Sequence, residues 1–158
     1  MGSEMCIRDR TLGADVIIHS ATKYIDGQGR VLGGVIVSRK KIIEQIYPFM
    51  KNAGPSLSPF NAWVLSKSLE TLAIRMDRHC SNAMHIAQWL ESRPEVLKVK
   101  YPFLPTNDGF DVARSQMKAG GGLISFELKG GMDAGRKMID SRKMMSLSAN
   151  LGDVRTII

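Results

Sequence analysis

The chain has 158 residues, with 22 Lys and Arg against 15 Asp and Glu and a net charge of +7. Its 44% apolar and 23% charged residues are those of an ordinary globular chain of about one domain, which excludes a disordered or low-complexity polypeptide. Two cysteines, Cys6 and Cys80, form no disulfide framework or zinc spacing and fit a reducing, cytoplasmic compartment, and no run approaches ~18 apolar residues or resembles a signal peptide.

Residues 1–10, MGSEMCIRDR, show neither helical nor strand periodicity and read as an adaptor-like segment foreign to the fold. Residues 14–19, ADVIIH, carry a β-branched run that predicts a short buried strand. Ser20-Ala21-Thr22-Lys23 follows at its C-terminal end, then a Gly-rich turn, Asp26-Gly27-Gln28-Gly29-Arg30. Residues 31–37 read as a second strand paired with the first as a hairpin. Gly33-Gly34 within it marks a close approach by another backbone or a ligand. Ser38 is placed to cap a short helix over 39–46 that ends near Pro48.

Ser58-Pro59, an N-cap followed by proline at N1, opens a long helix that runs to Pro94. Trp63, Leu65, Leu69, Leu72, Ala73 and Met76 recur near helical spacing, and Ala83, Ile86, Ala87, Trp89 and Leu90 continue it. At about 1.5 Å per residue its roughly 34 residues span ~50 Å, more than one small domain needs. The helix is therefore expected to link two lobes, with a bend near Arg78. Strands over 96–101 and 123–128, helices over 111–118 and 133–140, and a final strand within 145–158 make the second half α+β with an antiparallel sheet.

The basic balance leaves a nucleic-acid-binding module as one reading, but the longest basic run is only Arg39-Lys40-Lys41 and no nucleic-acid motif accompanies it. The lysine at the strand end is more informative. An amine at the C-terminal edge of a sheet can be partly desolvated, which favours the uncharged form that attacks an aldehyde. The hydroxyls of Ser20 and Thr22 beside it could donate to a phosphate. A lysine, hydroxyls and a sheet edge suit pyridoxal 5'-phosphate (PLP). Spacing alone leaves open the commoner alternative, a polar turn with an exposed lysine. His79 and His85 are six apart and do not share a helix face, so with Cys80 they make no metal site. Gly120-Gly121-Gly122 leads into a strand and is no dinucleotide loop. Met138, Met144 and Met145 read as core filler, Arg142-Lys143 as a solvated face, and Cys80 as a small buried residue.

The segment GADVIIHSATKYIDGQGRVLGG resembles the PLP-lysine segment of the Cys/Met metabolism PLP-dependent enzymes, the cystathionine γ-synthase type. GPSLSPFNAWVLSKSLETLAIRMDRH is similar to that family's loop and long helix between lobes, and NLGDVRTII to the strand that returns to its active site. The resemblance covers residues 12–158. It implies an α/β fold of the aspartate-aminotransferase-like type (fold type I), with 11–75 the end of the large PLP-binding domain and 76–158 a truncated C-terminal α+β domain. It implies PLP as cofactor, Lys23 as the catalytic lysine that bonds it, Ser20 and Thr22 as phosphate ligands, and Asn150 near the substrate carboxylate and the lysine. It further implies an amino-acid substrate, a homotetrameric full-length enzyme, and neither nucleic acid nor membrane as partner. IDGQGRVLGG and ANLGDVRTII are most similar to the family's homoserine-ester sulfhydrylases, with γ-synthases and γ-lyases next. The ring-stacking aromatic and the aspartate facing the pyridine nitrogen precede the lysine in the family, and its carboxylate-binding arginine lies beyond Ile158. The chain is thus expected to be an inactive fragment, and a non-catalytic remnant remains a third reading.

Overall fold

The structure, a computed structural model, describes residues 9–158. Residues 1–8 of the adaptor-like segment lie outside the described residues. Asp9 and Arg10 belong to a turn, their carbonyls accepting from Leu12, Gly13 and Ala14. The chain divides into two compact units: Met1–Leu72 with Asn150–Val154, and Ala73–Ala149 with Arg155–Ile158.

In the first unit, β1 (Val16–Ser20) and β2 (Gly34–Ser38) form an antiparallel ribbon registered Val16 to Ser38 and Ser20 to Gly34. The β-branched run forms the expected strand, but only its Ile17 is buried, and Ile18 is 69% exposed. Two strands cannot cover both faces of their own ribbon. Residues 31–33 stay outside the ladder. An added Cβ at Gly33 would lie 2.9 Å from Leu65 Cδ1, so the glycine admits a neighbouring helix.

Helix α1 runs Lys40–Ala53. Ser38 does not cap it: its hydroxyl donates to the Asp15 carbonyl at 2.6 Å, and Arg39 takes the cap position. Nor does Pro48 end it. The helix continues to Gly54, whose N–H bonds the Met50 carbonyl. No residue of α1 is buried, so the bond that proline removes is lost where water can take its place. Helix α2 (Pro59–Leu69) opens as the sequence indicates, with Ser58 Oγ accepting the Asn61 N–H at 3.1 Å. Its buried stripe is Val64, Leu65 and Ser68. Trp63 and Leu69 are more than half exposed. Val64 and Leu65 pack with Ala21, Ile25 and Val31 as the core of this unit.

The expected single long helix is two helices. The break falls at Glu70–Thr71, where the Thr71 N–H turns back to the Ser68 carbonyl, and α3 (Leu72–Glu91) runs unbroken through Arg78. In the second unit Ala83, Ala87 and Leu90 of α3 pack on Val99, Tyr101 and Leu104. Strands β3 (Val96–Lys100) and β4 (Ser125–Leu128) pair antiparallel, with an irregularity between Val96 and Lys98. Helices α4 (Phe110–Gln116) and α5 (Gly131–Ser141) complete it. No strand forms within 145–158. Ser146 and Ile157 make an isolated parallel bridge, because Asn150–Val154 between them belongs to the first unit. Met144 is 94% exposed and fills no core, whereas Met138 and Met145 are half-buried.

Tyr101 anchors the second core. It is 1% exposed, and its hydroxyl sits 2.9 Å from the Gly121 carbonyl and 3.3 Å from that of Cys80. Tyr101→Phe keeps the ring but removes the only group the side chain offers these carbonyls. The expected cost is about 1 kcal/mol, read as a lower urea midpoint with an unchanged slope. An unchanged midpoint would show that water replaces the hydroxyl without loss.

Candidate functional site

Strand β1 delivers the chain to Ser20, and a wide turn, Ala21–Ile25, reverses it. The turn is held at both ends. The Asp26 N–H bonds the Ala21 carbonyl at 2.9 Å and the Gly27 N–H bonds the Lys23 carbonyl at 2.8 Å. The N–H groups of Ala21 and Thr22 both reach the Gly33 carbonyl, at 2.9 and 3.3 Å. Lys23 departs from the helical path, with φ −84° and ψ −127°. Its half-buried side chain extends to Asn150, and Nζ donates to Oδ1 at 2.7 Å across 127 positions of sequence.

The segment that brings Asn150 docks against the turn. The Val154 N–H bonds the Gly27 carbonyl at 2.8 Å. Gly152 adopts φ +80°, and an added Cβ there would stand 2.5 Å from the Tyr24 nitrogen and 3.0 Å from the Lys23 carbonyl carbon. Both the conformation and the approach require glycine. Asp153 is buried at 6% exposure, beside Gly29. On the other side of the turn Asp26 is 1% exposed, and its carboxylate accepts from the Arg30 N–H at 2.6 Å and from Arg30 Nε at 2.9 Å.

Of the residues singled out in the sequence, Lys23 and Asn150 meet directly. Thr22 turns toward β2: its Oγ1 accepts the Gly33 N–H at 3.1 Å and lies 3.5 Å from the Gly33 carbonyl. That second contact is at the outer limit of a hydrogen bond, so the hydroxyl proton is easily redirected to a better acceptor. Ser20 is exposed, and its hydroxyl has no hydrogen bond among the described residues. An amine beside two available hydroxyls at a strand end is a donor set suited to an aldehyde that carries a phosphate. Asp26, Arg30 and Gly152 escaped the sequence reading. The only local signal was an acid and a base four apart in a Gly-rich loop.

Elsewhere, no group of three or more His, Cys, Asp or Glu suited to a metal occurs among the described residues. Burial pushes the Cys80 thiol up, and Asp77 adds to the rise, so at neutral pH it stays a thiol and not a nucleophilic thiolate. Arg39 and Lys40 of the basic run face Asp15 at 2.6 Å and Glu44 at 3.8 Å. No helix of the described residues is long and apolar enough to cross a membrane.

A profile of the Cys/Met metabolism PLP-dependent enzymes matches residues 1–158, and the chain belongs to that family. The family's cofactor is PLP and its fold is the α/β type I fold. An O-succinylhomoserine sulfhydrylase of Pseudomonas aeruginosa is 50% identical over 147 residues, 93% of this chain and 36% of the relative. An L-methionine γ-lyase of Fusobacterium nucleatum is 44% identical over 93% of this chain and 38% of the relative. Among solved structures, the metB protein of Corynebacterium glutamicum superimposes with TM-score 0.89 at 44% identity, covering 94% of this chain and 39% of that one. Cystathionine γ-synthase of Xanthomonas oryzae, in complex with aminoacrylate and cysteine, gives TM-score 0.89 at 36% identity over 94% and 38%. The chain therefore spans somewhat over a third of the length of the relatives it matches.

Proposed function

We propose that the chain is part of a PLP-dependent γ-replacement enzyme, a transferase that makes homocysteine from O-succinylhomoserine and sulfide in methionine biosynthesis. The observation that carries this reading is the 2.7 Å contact between Lys23 Nζ and Asn150 Oδ1 at the end of β1. It gives the amine a fixed partner and direction. The 50% identity with a sulfhydrylase favours the succinyl ester and sulfide over the other chemistries of the family.

When bound, PLP supplies an electron sink for the carbons next to the substrate nitrogen. Lys23 would hold the cofactor through its amine. The amine, directed by its bond to Asn150 Oδ1, would carry protons to and from the substrate as general base and then general acid. Ser20 and Thr22 would donate their hydroxyls to the cofactor phosphate. Asn150 orients both Lys23 and the substrate carboxylate. The net change breaks the bond from the γ-carbon to the ester oxygen, which leaves as succinate, and joins that carbon to sulfur. The family resemblance supports a homotetramer in the cytoplasm. The chain by itself, without the ring-stacking aromatic and the aspartate facing the pyridine nitrogen, binds PLP weakly and is inactive.

The assignment is tested by assaying a full-length protein containing this chain with O-succinylhomoserine and either sulfide or cysteine. Homocysteine formed from sulfide is the expected dominant product. Cystathionine formed from cysteine would make it a γ-synthase, and 2-oxobutanoate from methionine a γ-lyase, a reading that the 44% identity with the Fusobacterium enzyme keeps in view.

A further inference from the structure

The turn that carries Lys23 rests on a charged network that the proposed chemistry does not use. The Asp26 side chain has no exposure, and one residue occupies both of its carboxylate oxygens: the Arg30 N–H bonds Oδ2 at 2.6 Å and Arg30 Nε bonds Oδ1 at 2.9 Å. Arg30 Nη2 also donates to the Asp26 carbonyl at 3.0 Å and to Ser68 Oγ at 2.6 Å. Ser68 passes the bond on to the Val64 carbonyl within α2 at 2.8 Å. The backbone N–H supplies the bond to Oδ2, and the planar guanidinium fork makes the other three contacts together, which the single ammonium of a lysine does not.

The backbone of the same loop closes the turn around Lys23. The Asp26 and Gly27 N–H groups bond Ala21 and Lys23, and the Gly27 carbonyl receives the Val154 N–H. Both supports of Lys23, its own turn and the segment bearing Asn150, therefore hang from residues 26–30. Arg30 fastens that loop to α2. Packing alone does not call for this: the Asp26 side chain is fully buried while that of Arg30 is 42% exposed, and apolar residues of similar volume are often as stable in such a space as a charged pair. What the pair adds is a single geometry. We propose that Asp26, Arg30 and Ser68 are positioning residues that set Lys23 Nζ against Asn150. The proposal rests on Lys23 being the lysine that bonds the cofactor.

The test uses Arg30→Lys and Ser68→Ala in a PLP-loaded full-length protein containing this chain. Ser68→Ala leaves the Asp26–Arg30 pair intact and puts a strong helix former in α2, so it keeps the test open if Arg30→Lys fails to fold. Three quantities are read: the pH midpoint of the visible absorbance of the lysine-bound cofactor, the rate at which borohydride fixes cofactor on Lys23 by peptide mapping, and the melting temperature. Both variants are expected to shift the midpoint and slow fixation at Lys23 roughly fivefold to tenfold, with the label still on Lys23. A lowered melting temperature with midpoint and rate unmoved would assign the network to stability alone and overturn the proposal. So would variants that match the unsubstituted protein in all three. A label on another lysine in the unsubstituted protein is a separate failure, which removes the reading of Lys23 itself.

Discussion

Lys23→Ala is expected to abolish turnover in a full-length protein containing this chain while leaving it folded. Removing a positioned proton-transfer group costs about 10²–10⁴-fold in rate, and in the proposed reaction the same side chain also holds the cofactor, so the loss lies at or beyond the upper end. The stability cost is small by comparison. The side chain is half-buried and bonds Asn150 Oδ1, so about 1 kcal/mol is lost. Lys23→Arg separates charge from nucleophilicity, because a guanidinium keeps the donor to Asn150 but does not lose its proton to attack an aldehyde. It should be as inactive as the alanine variant. Borohydride reduction of the unsubstituted protein followed by peptide mapping gives the direct reading. Turnover that survives Lys23→Ala, or a pyridoxyl group on a different lysine, would move the site elsewhere.

Gly152→Ala should be nearly as damaging to activity, and more damaging to stability. An alanine at φ +80° bears a left-handed conformation disfavoured by roughly 1–2 kcal/mol. Its Cβ also stands 2.5 Å from the Tyr24 nitrogen and 2.8 Å from Tyr24 Cγ, and Tyr24 is only 6% exposed. The ring has nowhere to retreat, so the segment Asn150–Val154 must move. With overpacking added to the conformational cost, the expected destabilisation is about 2–4 kcal/mol. The displaced segment carries Asn150 away from Lys23 and weakens the Val154–Gly27 bond, so turnover falls even in molecules that remain folded. Gly135→Ala in α5 is the control. Nothing lies within 4 Å of a Cβ at that position, and replacing a mid-helix glycine should be neutral or stabilising by up to about 1 kcal/mol. Urea denaturation and turnover of the two variants side by side decide the matter. A Gly152→Ala protein that behaves like Gly135→Ala would mean that this segment does not dock on the turn.

Signals that act over a few residues were legible in the sequence. The β-branched run makes β1 because branched side chains favour extended backbone whether or not they end up covered. Ser58-Pro59 starts α2 because the cap and the missing N–H are both satisfied within one turn. Ser20, Thr22 and Lys23 share a strand end because residues within one stretch of four cannot lie far apart, and their pattern sufficed to reach the family.

What took the folded chain were outcomes settled by solvent exposure and by groups remote in sequence. Pro48 sits inside α1, since an exposed helix loses one bond to water more cheaply than it loses its last turn. The long helical pattern breaks at residues 70 and 71, where the Ser68 carbonyl accepts a turn bond from Thr71 while the Ser68 hydroxyl is committed to Arg30 and Val64. The apolar faces of the β1–β2 ribbon are exposed although their pattern reads as buried, because pattern states what a strand can bury and neighbours decide what it does. The final strand yields to the segment Asn150–Val154, which belongs to the first unit and docks on its turn. That docking brings Asn150 to Lys23 across 127 positions. No local rule encodes such a meeting: it depends on a glycine that admits the backbone at Tyr24.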